Sequence, residues 1–420
     1  MHKIQKTRWL RLTRPMAIAL AAAASCSARA EDPNPYYIGA SQAFARDSNV
    51  FRTPDAVHDY YSSTALIGGF DQLISRQRLY ANANVHYNKY HNNTILDNTS
   101  YGVNAGWDWA TIERLSGNLS AEANQALATF NGNSTQPTAS RNLVKTDQLS
   151  ANVRWGGDGL INLTGAYAHS RVKYSAVEYL ASQSSNDTGS LGANYRLGED
   201  LRVGLAYRLS RTNSPFAIPL VPSPVGPDDY SSNTSNGRNV DLTLDWRFTP
   251  KTNLSARLSQ TRLTNSDANV LDFKGTTGAI TGNYAPTGKL SFNAGFARDA
   301  GLNTTFFNAN TTGGTTSGAP VTGLTQNSQI TDTYSLGALY AATAKISVNT
   351  NLRYRHSKVA TLLEEHNDNG RIYSLGATYE VLRYWQLGCS FSQESRSISG
   401  AGGFSYSAHV FGCSAQIKLQ

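Results

Sequence analysis

Arginine recurs at alternate positions in stretches whose intervening residues are apolar, and this spacing sets the chemistry open to the chain. Across residues 201–209, Leu201, Val203, Leu205, Tyr207 and Leu209 share one face of an extended strand, while Arg202, Gly204, Ala206 and Arg208 share the other. A guanidinium placed there can grip a carboxylate or another anion bidentately. The same alternation assigns Arg78, Arg154, Arg257, Arg353 and Arg355 to the polar face, beside Asn82, Asn84, Asn104, Asn118, Asn349 and Asn351. Asp108, Glu122, Asp241, Asp245, Glu380 and Glu394 bring the opposite sign to it. Amides and hydroxyls exchange hydrogen bonds with sugar hydroxyls, so this lining suits a hydrated solute, an anionic glycan included. It equally suits a polar wall in which acids and arginines brace one another.

Residue types for covalent or metal chemistry are present without the spacing that such chemistry needs. There is no Gly-x-Ser-x-Gly, His-Glu-x-x-His or Cys-x-x-Cys, and no phosphate-cradling glycine loop. His58, His86, His91, His169, His356, His366 and His409 are scattered, and none stands beside a serine and a carboxylate at a suggestive interval. Glu364-Glu365-His366-Asn367-Asp368 lacks regular calcium-loop spacing and reads as a solvated acidic loop. The expectation is a protein that is not an enzyme, with no catalytic residues, no cofactor and no metal site.

Residues that alternate in this way must be carried by strands, and the strands come in pairs. Short turns fall at 70–75, 110–113, 156–159, 198–200, 249–252, 285–288, 341–344 and 382–383, several with turn chemistry such as Gly156-Gly157-Asp158-Gly159. Eight turns join sixteen strands; one more precedes them at 36–45 and one follows at 403–419, which makes eighteen. Sixteen stays the alternative, because 59–69 and 270–284 alternate weakly. An even count of antiparallel amphipathic strands, with polar and apolar faces repeated to the last residue, predicts a closed transmembrane β-barrel of the outer membrane. Longer segments at 46–58, 131–142, 213–237 and 301–330 then read as extracellular loops; the third holds Pro215, Pro219, Pro222, Pro224 and Pro227, which deny it ladder hydrogen bonds. Trp107, Trp109, Trp155, Trp246 and Trp385 all lie near short turns, as a periplasmic aromatic girdle would.

Residues 1–30 read as an export signal: His2, Lys3, Lys6, Arg8, Arg11 and Arg14 precede an apolar run at 16–24, and Ala28-Arg29-Ala30 has the form of a cleavage site. Residues 31–420 are expected to be one barrel domain. Six of the 37 Lys and Arg residues lie in the leader, so the remainder carries 31 against 29 acids, a net of +2. That balance gives no reason to expect a nucleic-acid partner.

Tyr37-Ile-Gly-Ala, Asp47-Ser-Asn-Val-Phe-Arg52, Arg76-Gln-Arg-Leu-Tyr, Tyr87-Asn-Lys-Tyr90, Gly106-Trp-Asp-Trp109 and Arg141-Asn142-Leu143 carry a family likeness. With them the chain resembles the EpsL-type outer-membrane proteins encoded with exopolysaccharide biosynthesis genes, part of a broader group of β-barrel porins. The resemblance implies a passive conduit taking part in exopolysaccharide biosynthesis or export. Its partners would be outer-membrane lipid, the exopolysaccharide and periplasmic export machinery. Two other readings stand beside it: a general diffusion porin for small solutes, which would have an inward-folded constriction loop with opposed charges, and a structural or adhesive surface barrel.

Cys389 lies among Trp385, Leu387 and Phe391 on an apolar face, and Cys413 alternates with Phe411, Ala415 and Ile417. A hairpin centred at residue 401 sets the two opposite each other. Directly opposed strand residues have Cα atoms ~4.5–5.5 Å apart, within reach of a disulfide. Two unbonded small residues facing lipid fit the sequence equally well.

Overall fold

Eighteen strands run up and down in chain order, and each pairs antiparallel with the strands before and after it. The computed structural model describes residues 34–420 except 113, 129–140, 158, 220–226, 268–269, 302–327, 361–364 and 400–404. The expected leader at 1–30 lies outside the described residues, as do most of the segments at 131–142 and 301–330. The first six strands are β1 (Tyr36–Asp47), β2 (Asp59–Ile74), β3 (Gln77–Tyr90), β4 (Asn98–Ala110), β5 (Leu115–Leu127) and β6 (Leu143–Trp155). Next come β7 (Ile161–Tyr174), β8 (Ser184–Leu197), β9 (Leu201–Pro219), β10 (Tyr230–Thr249), β11 (Thr252–Asn265) and β12 (Phe273–Thr287). The last six are β13 (Leu290–Ala300), β14 (Ser328–Ala341), β15 (Ile346–Ala360), β16 (Glu365–Leu382), β17 (Trp385–Ser399) and β18 (Tyr406–Leu419).

Pairing of β1 with β18, from Ile38 opposite Leu419 to Asp47 opposite Val410, closes the ring. Closure matters in lipid because an open edge would leave a row of N–H and C=O groups without water to satisfy them. Apolar side chains point out of the ring and stay exposed, among them Leu191, Leu66, Ile38 and Leu205. The chain is therefore a transmembrane barrel of the outer-membrane type, with its apolar layer on the outside and its polar residues within.

The eighteen-strand reading holds and the sixteen-strand one does not: both weakly alternating segments are full strands. β2 alternates poorly because Ser62 and Thr64 face out while Ile67 and Leu73 face in; its ladder to β3 is nevertheless unbroken from Tyr61 opposite Tyr90 to Ile74 opposite Gln77. That ladder moves the first turn from 70–75 to Ser75 and Arg76, with Ser75 in the left-handed region at φ 57°. The segment 213–237 is not loop throughout. β9 runs to Pro219 and β10 starts at Tyr230, so the hairpin stands beyond the ~9–11 residues a tilted strand needs to cross the membrane. Its prolines act locally: pairing jumps from Ser214 opposite Asn233 to Ile218 opposite Ser231, skipping the stretch with Pro215, which has no N–H to give. Residues 365–368, read as part of an acidic loop, open β16.

Candidate functional site

The lumen is where the inward arginines meet, and most of them are bound to acids. Arg78 donates twice to Asp71, Nε at 2.8 Å and Nη2 at 2.6 Å, with Asp108 3.8 Å away. Arg208 grips Asp241 through Nε at 2.8 Å and Nη2 at 3.1 Å. Arg257 stands 3.9 Å from Asp241 and 3.7 Å from Asp299, and donates to Ser259 Oγ at 2.7 Å. Arg355 donates to Asp368 at 3.0 Å, and Arg396 takes the same carboxylate with two bonds of 2.8 and 2.9 Å. Arg202 lies opposite Arg196 on one side and Asp245 on the other. Arg154 and Arg353 differ: both are exposed and neither has an ion-pair partner among the described residues. Their ladder neighbours are uncharged, Ser116 and Thr164 for Arg154, Ser335 and Ile372 for Arg353.

Above this wall, the outer loop expected at 46–58 begins only after Asp47, since Arg46 and Asp47 still belong to β1, and its residues 48–58 turn inward. Arg52 donates to both oxygens of Asp47, at 2.9 and 2.8 Å, and to Glu394 Oε2 at 3.1 Å, and also meets the Asn49 carbonyl. Asp47 and Glu394 are inward residues of β1 and β17, so the guanidinium is clamped from the lumen side. Burial alone would lower the Arg52 pKa, but Asp47 and Glu394 oppose this and raise it above its ordinary value, so the clamp stays charged. Arg52 holds φ 53°, a left-handed conformation that a non-glycine residue adopts at a cost of order 1–3 kcal/mol where surrounding contacts over-determine it. Asn49 adds bonds to Thr53 O at 2.7 Å and Ser407 O at 3.1 Å. Val50 packs with Leu96, Phe51, Tyr90 and Leu127 in a small apolar cluster that carries the segment toward β3 and β5. The signal for this was Arg52 itself, a charge set directly after Val50 and Phe51 in the motif beginning at Asp47.

A gradient runs down the inner wall. Toward the extracellular end Asp241, Asp368, Arg396, Asn239, Thr261 and Ser357 are buried. Below them Asn82, Glu122, Arg154, Asp245 and Glu380 are exposed and Asp108 is half-buried. Amides cross-link neighbouring strands on this face: Asn152 donates to Asn118 at 2.8 Å, Asn194 to Asn162 at 2.9 Å, and Asn82 sits opposite Asn104. Asn349 and Asn351 lie on the same face of β15 as Arg353.

On the outer face Trp107, Trp109, Trp155, Trp246 and Trp385 all stand at the short-turn end, with Trp246 edge-on to Phe248 at 4.7 Å. Cys389 lies directly opposite Cys413 and the two sulfurs are bonded, Cα atoms 4.0 Å apart.

No family model matches the sequence. Nor does any curated protein. The resemblance to EpsL-type proteins accordingly remains a resemblance. Among solved structures the chain is similar to OpdK from Pseudomonas aeruginosa, crystallised with vanillate, at 12% identity and a TM-score of 0.47 over 91% of this chain and 99% of that one. OccK5 (OpdH) from the same organism is similar at 10% identity and 0.45, over 92% and 98%. The ferric enterobactin receptor PfeA is similar at 10% identity and 0.44, over 93% and 81%. The barrel assignment here stands on the closed pairing of β1 with β18.

Proposed function

We propose that the chain is a passive outer-membrane porin that admits small hydrated solutes through a mouth narrowed by the segment 48–58. The observation that carries this reading is the Arg52 clamp: an inward-folded segment, held by opposed charges on β1 and β17, above a lumen whose lower wall is exposed. A barrel of this strand number leaves an aqueous channel unless something fills it. Ion pairs at the top fix the shape of the entrance, because bidentate arginine bonds hold both partners in one geometry. Farther down, Arg154 and Arg353 sit on strands nine places apart in a ring of eighteen, hence on opposite walls, and their positive field offsets the exposed Glu122 and Glu380 in the water column.

Exopolysaccharide export is the second reading, favoured by the family resemblance and by the amide ladders, whose side chains suit sugar hydroxyls. The buried, ion-paired mouth counts against a path for a continuous polymer. Liposomes bearing the folded protein should swell in mono- and disaccharides and fail to swell in long oligosaccharides. Equal swelling across the whole size range would favour the export reading instead.

A further inference from the structure

The outer face carries a second set of cations that the lumen does not use. Arg238 of β10 lies directly opposite Arg262 of β11, and Arg262 directly opposite Lys274 of β12. All three are exposed and, among the described residues, none has an ion-pair partner. Arg211 of β9 is diagonal to Arg238, but it faces Asp187, which also accepts from Tyr167 and meets His169, each at 2.8 Å. Of the other acids at this rim, Asp332 pairs with Arg298 at 3.3 Å, while Asp272, next to Lys274 on this face, accepts the Asn265 N–H at 2.9 Å and keeps its charge, so that three cations and one acid leave a net of +2. Like charges directly opposite on neighbouring strands repel, and three in a row with one acid beside them form an arrangement that an anion would relieve.

Their height on the barrel identifies the anion. Residues 238–246 run from Arg238 to Trp246 of the lower aromatic belt, about the ~9–11 residues of one tilted crossing. The three cations therefore stand at headgroup level on the extracellular side. Beneath Arg238 on the same face come Val240 and Leu242; beneath Arg262 and Lys274, past Gln260, Thr276 and Gly278, come Leu258 and Ile280, and these four apolar side chains are exposed. A charged cap over an aliphatic column matches an amphiphile, since arginine binds phosphate bidentately and the column accepts acyl chains.

We propose that Arg238, Arg262 and Lys274 form a binding site for the phosphorylated headgroup of an outer-leaflet lipid whose acyl chains lie on Val240, Leu258 and Ile280. The test compares the folded wild type with R238Q/R262Q/K274Q in detergent, adding bisphosphorylated lipid A, dephosphorylated lipid A, or inorganic phosphate. Lipid retention is read by native mass spectrometry and stability by the melting temperature. Wild type should retain lipid A about a hundred-fold better than the triple variant, three basic contacts combined. Dephosphorylated lipid should bind both proteins weakly. Without lipid the triple variant should melt no lower than wild type, because the repulsion is gone. If the triple variant does not fold, R262Q alone should weaken lipid A binding about five-fold, the effect of one contact. Equal lipid A binding by wild type and a folded variant would overturn the proposal. So would equal binding of the dephosphorylated lipid, or stabilisation by inorganic phosphate alone as large as that by lipid A.

Discussion

At one set of places on the inner wall charges are buried in pairs, Asp368 with Arg396 and Asp241 with a half-buried Arg208; elsewhere on the same wall Arg154 and Arg353 are exposed, with uncharged ladder neighbours. The residue types are the same in both places, and water makes the difference. Where water is excluded, a charge without its partner is costly, so the arginines at the mouth serve as structural clamps. Where water enters, an arginine needs no partner, and its field reaches whatever passes. The same side chain thus shapes the entrance in one region and biases permeation in the other.

The sharpest way to break this contrast is to remove a clamp. Asp368→Asn leaves Arg396 buried without its carboxylate, and the loss should reach about 3–5 kcal/mol of stability, read by urea unfolding in detergent. Adding Arg396→Met to that variant should recover much of the loss. A loss under about 1 kcal/mol would mean that water reaches the pair after all. Next in size is the outer-face bridge: Cys389→Ser with Cys413→Ser should cost about 3 kcal/mol on the chain-entropy account for cysteines separated by 24 residues. Alkylation of denatured, unreduced protein checks the premise, since two modified thiols per chain would mean that no bridge forms. Smallest in stability, and largest in selectivity, is Arg154→Ser with Arg353→Ser. Unfolding should shift by no more than about 0.5 kcal/mol, while the anion-to-cation permeability ratio in a planar bilayer falls. Arg208→Ser is the useful contrast, because it strips buried Asp241 of its bidentate partner and should destabilise the fold.

Strand number and facing were legible because a two-residue period is written into most wall segments, weakly only in β2 and β12, and Trp246 or Leu205 can face only one way once the ladder is set. Strand ends were less legible. β9 continues through Pro215 because a paired hairpin outside the membrane tolerates one skipped stretch of ladder, which a local proline rule does not foresee. The inward faces of the arginines could be read, but not which acids hold them. Asp368 on β16 meets Arg396 on β17 through the register of the ladder, and Asp299 on β13 meets Arg257 on β11 across the intervening β12, pairings that a one-dimensional pattern does not contain. The mouth was least legible of all. Nothing in the period of 48–58 says that Arg52 reaches Glu394, a residue 342 positions away.

Arg52 is therefore where the account is most exposed. The size limit for neutral sugars in the liposome swelling assay should be measured for wild type and for Arg52→Ser, with folding of both confirmed by heat-modifiable mobility. Freeing the segment 48–58 from Asp47 and Glu394 should move the limit to larger oligosaccharides and raise single-channel conductance. A folded Arg52→Ser barrel with an unchanged size limit and unchanged conductance would contradict the claim that this clamp sets the entrance.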